Sequence, residues 1–265
     1  MTMNTSLEFI ERPPEGSARA TPLLFVHGAY ADAWCWDYSY LPWFAQQGWQ
    51  ASAFSFSGHG KSPGSERLNA FSIADYVRDL ASVIAGMPAK PVVIAHSMGG
   101  LVLQKYLEEA ELPGAVLLCS VPPQGLLGAT MNLMLNRPNV LFELSRIIGG
   151  SAPELETLRE ALFHQPVTQA MLQECFKHFQ PESMRAVWDM SGFDLPSPSR
   201  MRRPPMLILG AEHDALIPPG QVEQTGESLS QQVCILPDMG HAIMLEQGWE
   251  AGAGKIAEWL LAQGF

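Results

Sequence analysis

The stretch that decides the fold is Val93-Ile94-Ala95-His96-Ser97-Met98-Gly99-Gly100. It starts inside an apolar run and ends where a helical spacing of apolar residues begins, so it predicts a strand, a sharp turn and a helix. Ser97 lies in the turn, and the small residues Ala95 and Gly99 stand two positions to either side. Small flanking residues let the strand and the helix approach closely around the serine. Ser97 therefore lies at a tightly packed turn between a strand and a helix.

Strand and helix patterns alternate on both sides of this stretch. Short apolar runs without polar alternation are typical of parallel strands that are covered on both faces. Alternation with helices favours βαβ units, and so an α/β fold with a mostly parallel sheet and helices on both faces. Strands are predicted at residues 22–28, 50–56, 91–97, 114–120, 205–210 and 232–236, and helices at residues 36–47, 72–85, 98–109, 220–229 and 249–263.

The middle of the chain interrupts this alternation. Residues 122–203 contain helix-like pieces that are separated by prolines and glycines, no strand pattern, and six of the 13 methionines. We therefore predict one core formed by residues 1–121 and 204–265, with residues 122–203 inserted as a helical cap over it.

The turn around Ser97 resembles the nucleophile elbow, G-x-S-x-G, of the α/β-hydrolases, with Ala95 in place of the first glycine. The resemblance implies the α/β-hydrolase fold and a catalytic order of serine, acid and histidine along the chain. His241 follows the last predicted strand, where the family carries its base. Asp214 lies in the loop after the strand at residues 205–210, where the family carries its acid.

Two other carboxylates near these positions were weighed as the acid. Glu212 lies in the same loop as Asp214, but a solvated loop carboxylate explains it, and Asp238 is close to His241 in sequence and suits a turn. Some family members take the acid from the end of the preceding strand. Here that end reads Ser120-Val121-Pro122 and offers no carboxylate, which favours Asp214.

Acyl transfer also needs hydrogen-bond donors for the developing oxyanion. The segment His27-Gly28-Ala29-Tyr30 resembles the family's HGx loop, so the resemblance implies the backbone N–H groups of Ala29 and Met98 as donors. An apolar, methionine-rich cap would suit a hydrophobic substrate. The substrate pocket is predicted to include Gly28, Tyr30, Met131, Met134, Trp188 and Ile217.

These residues predict a cofactor-free serine hydrolase that cleaves an ester or related acyl bond of a small, largely hydrophobic substrate. Relatives with this arrangement include carboxylesterases, monoacylglycerol lipases, lactonases and carbon–carbon bond hydrolases. A serine at the nucleophile position argues against epoxide hydrolases and haloalkane dehalogenases, which use a carboxylate there. Two alternatives stay open at this point: a ligand-binding sensor with slow turnover, and a lyase or carbon–carbon bond hydrolase that uses the same triad.

Net charge and short motifs limit the classes of partner and ligand that the chain is expected to bind. The net charge of −11 argues against nucleic acid, which requires a basic surface. The sequence Gly58-His59-Gly60-Lys61-Ser62 contains GKS, but Ser55 stands where a phosphate-binding loop needs its first glycine.

Four distant cysteines and unsuitable histidine spacing predict neither disulfides nor a metal site. No signal peptide or membrane span is expected, and a cytoplasmic location is the default. The sequence leaves a homo-oligomer open.

Overall fold

A computed structural model of the chain describes residues 7–148 and 154–265. Seven strands of the described residues form one sheet, in the order β1-β3-β2-β4-β5-β6-β7. All neighbouring strands are parallel except β1 and β3. The strands are β1 (Phe9–Arg12), β2 (Leu23–Val26), β3 (Ala51–Phe54), β4 (Val92–His96), β5 (Ala115–Leu118), β6 (Met206–Ala211) and β7 (Val233–Leu236).

Alternate residues of the central strands face two separate apolar clusters. Phe25 and Ile94 pack on one side of the sheet with side chains of the first two helices and the last one. Val26 and Ala95 pack on the other side, against three helices of the core. The mostly parallel sheet with helices on both faces that the sequence predicts is confirmed.

The sequence did not predict β1. Phe9–Arg12 pairs antiparallel with β3 at the edge of the sheet, and most of its side chains are exposed. A four-residue edge strand that carries Glu11 and Arg12 lacks the apolar run that identified the other strands. Charged residues at such an edge also oppose pairing with another chain.

The helices of the core begin and end close to their predicted positions. Ser72 caps one of them, because its side chain accepts from the Asp75 N–H while the Asp75 carboxylate accepts from Ser72 N–H. The helix predicted at residues 36–47 is wrong in one respect: it is two helices, and Pro42 lies in the first turn of the second, where its missing N–H costs nothing. The core helices are α1 (Trp34–Asp37), α2 (Tyr40–Gln46), α3 (Ile73–Gly86), α4 (Met98–Glu109), α10 (Pro219–Leu229) and α11 (Glu250–Gln263).

Residues 122–203, called the helical segment below, join β5 to β6. Their described part contains helices and no strand. A π-helical turn, Asp189–Phe193, continues the last of these helices. Of the described residues, none forms a helix long and apolar enough to cross a membrane. The helices of the segment are α5 (Leu127–Asn136), α6 (Pro138–Ile148), α7 (Leu155–Leu162), α8 (Gln169–His178) and α9 (Met184–Trp188).

Candidate active site

Ser97 lies at the tight turn between the central strand β4 and helix α4. Its backbone has φ 51° and ψ −118°, in the left-handed half of conformational space that a side chain rarely adopts. Gly99 makes the turn feasible, because a Cβ atom there would collide with the carbonyl oxygen of His27. The strain and the close approach hold the Ser97 hydroxyl at the carboxyl end of the sheet.

Three predicted residues from three loops form one hydrogen-bonded chain. The Nε2 atom of His241 lies 3.1 Å from the Oγ atom of Ser97. The Nδ1 atom of the same ring lies 2.8 Å from a carboxylate oxygen of Asp214. Both ionisable side chains are buried. This is the order of contacts that nucleophile, general base and orienting acid require.

The carboxylate of Asp214 is held from several sides. Its second oxygen accepts hydrogen bonds from the backbone N–H groups of Leu216 and Ile217, each at 2.8 Å. The thiol of Cys119 also contacts it. Burial and the Asp214 charge raise the pKa of Cys119 well above its ordinary value, so the thiol stays protonated and can donate. With these donors fixed, the free oxygen faces the His241 ring.

Glu212, the local rival for the acid, points elsewhere. It is exposed and accepts from the Asp238 backbone N–H at 3.1 Å. Asp238 itself is exposed and adopts φ 55°, as expected for a turn residue. Neither carboxylate is paired with His241, whose Nδ1 atom faces Asp214 instead.

Two further histidines support the site. His96 is buried, and burial and the neighbouring His241 lower its pKa well below the ordinary value. The Nε2 atom of its neutral ring lies 3.0 Å from the carbonyl oxygen of His241 and holds the His241 backbone in place. His27, whose pKa falls to about 3 chiefly because of burial, bridges the carbonyl oxygen of Gly28 and the N–H of Phe56.

The loop that His27 holds runs directly beside the serine. A Cβ atom on Gly28 would lie 2.9 Å from the Cβ atom of Ser97, so only glycine allows this approach. The N–H groups of Ala29 and Met98 donate to no protein group in the part of the chain that the structure describes. Both residues line the same cavity as Ser97. Two free amides beside the hydroxyl have the composition of an oxyanion hole.

The triad opens into a cavity of about 400 Å³ whose walls are mostly apolar. The core contributes the loop around Ala29 and Tyr30, and the helical segment contributes the opposite wall. The ring of Tyr30 stacks on Phe179 of the segment, with centroids 5.4 Å apart. A pocket of this size and polarity fits a small, largely apolar molecule.

Comparison with known proteins identifies the family of the chain. Residues 23–253 match the model of a family described as the alpha/beta hydrolase family. The chain belongs to that family. The fold and the family that the nucleophile elbow suggested are thereby confirmed.

Curated relatives match only part of this chain. The chain is 30% identical over 113 residues, 42% of its length, to epoxide hydrolase 1 of Caenorhabditis elegans. It is 33% identical over 79 residues, 29% of its length, to pheophorbidase of Raphanus sativus. These matches span 27% and 29% of the two curated relatives.

Solved structures of other α/β hydrolases share the fold across nearly the whole chain. A thermophilic esterase from Thermogutta terrifontis superposes with a TM-score of 0.72 at 20% identity, covering 98% of this chain and 94% of the esterase. A monoacylglycerol lipase from Paleococcus ferrophilus gives 0.69 at 19% identity, covering 98% and 100%.

The predicted pocket residues of this α/β hydrolase divide into two groups. Tyr30 and Ile217 line the cavity, and Gly28 lies behind its wall, against Ser97. The prediction is wrong for the three residues from the helical segment, because more than half of each side chain is exposed and none lines the cavity. Those residues are Met131, Met134 and Trp188.

The sequence reasoning chose the wrong face of α5. Ala129, Thr130 and Leu133 line the cavity, and Leu126 precedes them at the start of the helix. These positions follow the i, i+3, i+4, i+7 spacing of one helix face. That spacing was visible in the sequence, whereas the methionine content that suggested Met131 and Met134 carries no direction.

Sequence reasoning also missed a polar pair in the wall of the cavity. The Nδ1 atom of His178 in α8 lies 3.2 Å from the Asp32 carboxylate in the core, and the ring stacks on Trp34 with centroids 4.2 Å apart. Asp32 and His178 both line the cavity. The partners are 146 residues apart in sequence, so no local pattern could join them.

A buried ion pair fastens the helical segment to the core behind the Tyr30 loop. His59 lies 3.1 Å from Glu182, whose other oxygen accepts from the Tyr76 hydroxyl at 2.8 Å. Burial alone would lower the pKa of His59, but the charge and hydrogen bond of Glu182 raise it overall. Burial alone would raise the pKa of Glu182, but His59 and the other donors lower it overall. Each group therefore favours the charged form of the other.

Proposed function

We propose that this chain is a serine hydrolase that cleaves an ester or related acyl bond of a small, largely hydrophobic substrate through an acyl-enzyme. The observation that carries the proposal is the chain of hydrogen bonds from Ser97 through His241 to Asp214, at the floor of an apolar cavity. The esterase and the monoacylglycerol lipase that share the fold are consistent with it.

Acylation begins when the Ser97 hydroxyl attacks the substrate carbonyl and His241 Nε2 accepts its proton. Asp214 holds the ring so that Nδ1 carries a hydrogen toward the carboxylate and Nε2 is free to accept. The carboxylate then stabilises the imidazolium that forms. The negative charge on the substrate oxygen is bound by the N–H groups of Ala29 and Met98, each worth about 3–4 kcal/mol in such a site.

The leaving group departs with the proton that His241 received, which leaves the acyl group on Ser97. Water then attacks the acyl carbonyl while His241 accepts a proton from it. The second tetrahedral intermediate collapses, the proton returns to Ser97, and the acid product leaves. The apolar walls would bind the acyl or alcohol part of the substrate and exclude water from around the charges.

A hydroxyl nucleophile favours acyl transfer over epoxide opening. The matched epoxide hydrolase covers less than half of this chain. At the elbow this chain carries Ser97, whereas epoxide hydrolases use a carboxylate there.

The proposal is tested with p-nitrophenyl esters and Ser97→Ala. We expect kcat/KM to fall more than about 10⁴-fold with an unchanged melting temperature, because the variant removes the nucleophile and no packing. Ser199→Ala, an exposed serine outside the cavity, should retain full activity. A fluorophosphonate should add one equivalent to Ser97 in the wild type. Labelling without repeated turnover on any ester would instead indicate a sensor, and retained activity in Ser97→Ala would refute the proposal.

A further inference from the structure

Two histidines and one aspartate meet on the outer surface, outside the triad and the substrate cavity. One ligating atom from each of His164, His213 and Asp238 lies within 4.8 Å of the other two. The two imidazole rings are stacked, with centroids 3.6 Å apart and planes 19° from parallel. All three side chains are exposed. Their ring nitrogens and carboxylate are therefore accessible to an ion from solvent.

The three side chains come from three chain segments that are linked by hydrogen bonds. The N–H of His213 donates to the carbonyl oxygen of Met239 at 2.9 Å. The N–H of His164 donates to the Glu246 carboxylate at 2.7 Å, and that carboxylate also accepts from the Gly240 N–H at 2.8 Å. These bonds fix the spacing of the backbone positions that carry the three side chains before any ligand arrives. A prearranged site loses little conformational entropy on binding.

The charges around the cluster favour a cation. A carboxylate oxygen of Glu212 lies 3.6 Å from the nearer imidazole, and Asp238 and Glu160 add two further carboxylates. Arg137 and Arg159 line the adjoining groove, but Arg159 is paired with a glutamate of its own helix. The carboxylates therefore outnumber the remaining arginine, in a chain whose net charge is −11.

We propose that His164, His213 and Asp238 form a binding site for a divalent transition-metal ion of the zinc class. Two imidazole nitrogens and a carboxylate oxygen are ligands that Zn²⁺ prefers, and water would complete a tetrahedron. Ligand atoms around tetrahedral zinc lie about 3.3 Å apart, so small rotations of these exposed side chains complete the site. No sequence motif indicates this site, because its ligands are far apart in the chain, at positions 164, 213 and 238.

Binding at this site would cross-link the helical segment to both catalytic loops. His213 immediately precedes Asp214, and Asp238 stands three residues before His241. The ion would stabilise the folded chain, since the unfolded chain does not hold the three ligands together.

The first experiment is calorimetric titration of ZnCl₂ into the untagged full-length chain at pH 7.5. We expect one saturable site per chain, with affinity at least about tenfold weaker in His164→Ala and in His213→Ala. Asp238→Asn should also weaken binding, and asparagine tolerates the positive φ at that position. His178→Ala is the matched control: it removes another partly exposed histidine that also faces carboxylates, and should leave zinc affinity unchanged.

The second experiment measures the melting temperature with and without ZnCl₂. The wild type should be stabilised, and the double variant His164→Ala/His213→Ala should not respond. Absence of saturation by about 1 mM zinc would overturn the site. Zinc binding that survives the double variant would overturn it as well. Neither readout uses esterase activity, so the test is independent of the proposed function.

Discussion

The strand ends and the helical segment form opposite walls of the same cavity, and different structural features determine the role of a residue in each wall. At the strand ends, backbone geometry decides what each residue does. Ser97 has a positive φ, and Gly28 and Gly99 stand where no side chain fits. In the helical segment, ordinary helices present side chains, and the face on which a residue lies decides its contribution.

This difference separates chemistry from specificity. The proposed reacting groups of the strand ends are fixed by bonds within the core, such as those from Leu216 and Ile217 to Asp214. The segment contributes mainly apolar surface to the cavity, through residues such as Leu133 and Leu144. Changes at the strand ends should therefore abolish turnover, whereas changes in the segment should alter stability or substrate preference.

After the loss expected for Ser97→Ala, the largest effect is expected at the proposed acid. Asp214→Asn should lower kcat/KM by about 10³–10⁴-fold, because the amide cannot stabilise the imidazolium and its NH₂ group favours the wrong tautomer of His241. Steady-state kinetics on a p-nitrophenyl ester measures the loss, with zinc removed by a chelator in all samples.

Glu212→Gln is the matched control, since Glu212 lies two residues away in the same loop but is exposed and unpaired with His241. It should change kcat/KM less than about twofold, in keeping with the small effects of exposed carboxylates. Comparable losses in the two variants would show that the loop, and no particular carboxylate, supports the reaction.

The same contrast explains what the sequence could predict. The elbow is a local spacing between a strand and a helix, which a sequence displays directly, and its resemblance to the α/β-hydrolases implied the order Ser97–Asp214–His241 and the Ala29 loop. The Asp32–His178 pair and the ion pair of His59 and Glu182 join residues more than 100 positions apart, and only the packing of the segment brings them together. The outward orientation of Met131 and Met134 likewise depends on how α5 is rotated on the core.

A smaller effect is expected where the segment is fastened to the core. Glu182→Gln removes the charge that His59 faces at a fully buried site, and should lower the free energy of unfolding by about 3 kcal/mol. Glu174→Gln is the control, because its exposed pair with Lys177 is worth little. Urea denaturation of both variants measures the difference, and equal stabilities would mean that the buried pair does not hold the segment.

The Glu182 effect should also depend on pH. The folded-state pKa of Glu182 is lowered, so its contribution is complete above the unfolded value of 4.5 and is lost as the pH falls through the folded value. The folded-state pKa of His59 is raised, so its contribution is complete below the unfolded value of 6.5 and is lost as the pH rises through the folded value. The difference in the free energy of unfolding between the wild type and Glu182→Gln should be largest between about pH 4.5 and 6.5.

The smallest effect is expected within one helix, where two neighbouring residues of α5 point in opposite directions. Leu133 lines the cavity and is 5% exposed, whereas Met134 is 59% exposed. Leu133→Ala should enlarge the pocket and shift the ratio of kcat/KM for long over short acyl esters by about tenfold, the value of one or two methylene groups in an apolar pocket. Met134→Ala should leave that ratio unchanged. If Met134→Ala shifts the ratio instead, α5 presents its other face to the substrate, and the specificity of this hydrolase is set by residues that the free enzyme exposes to solvent.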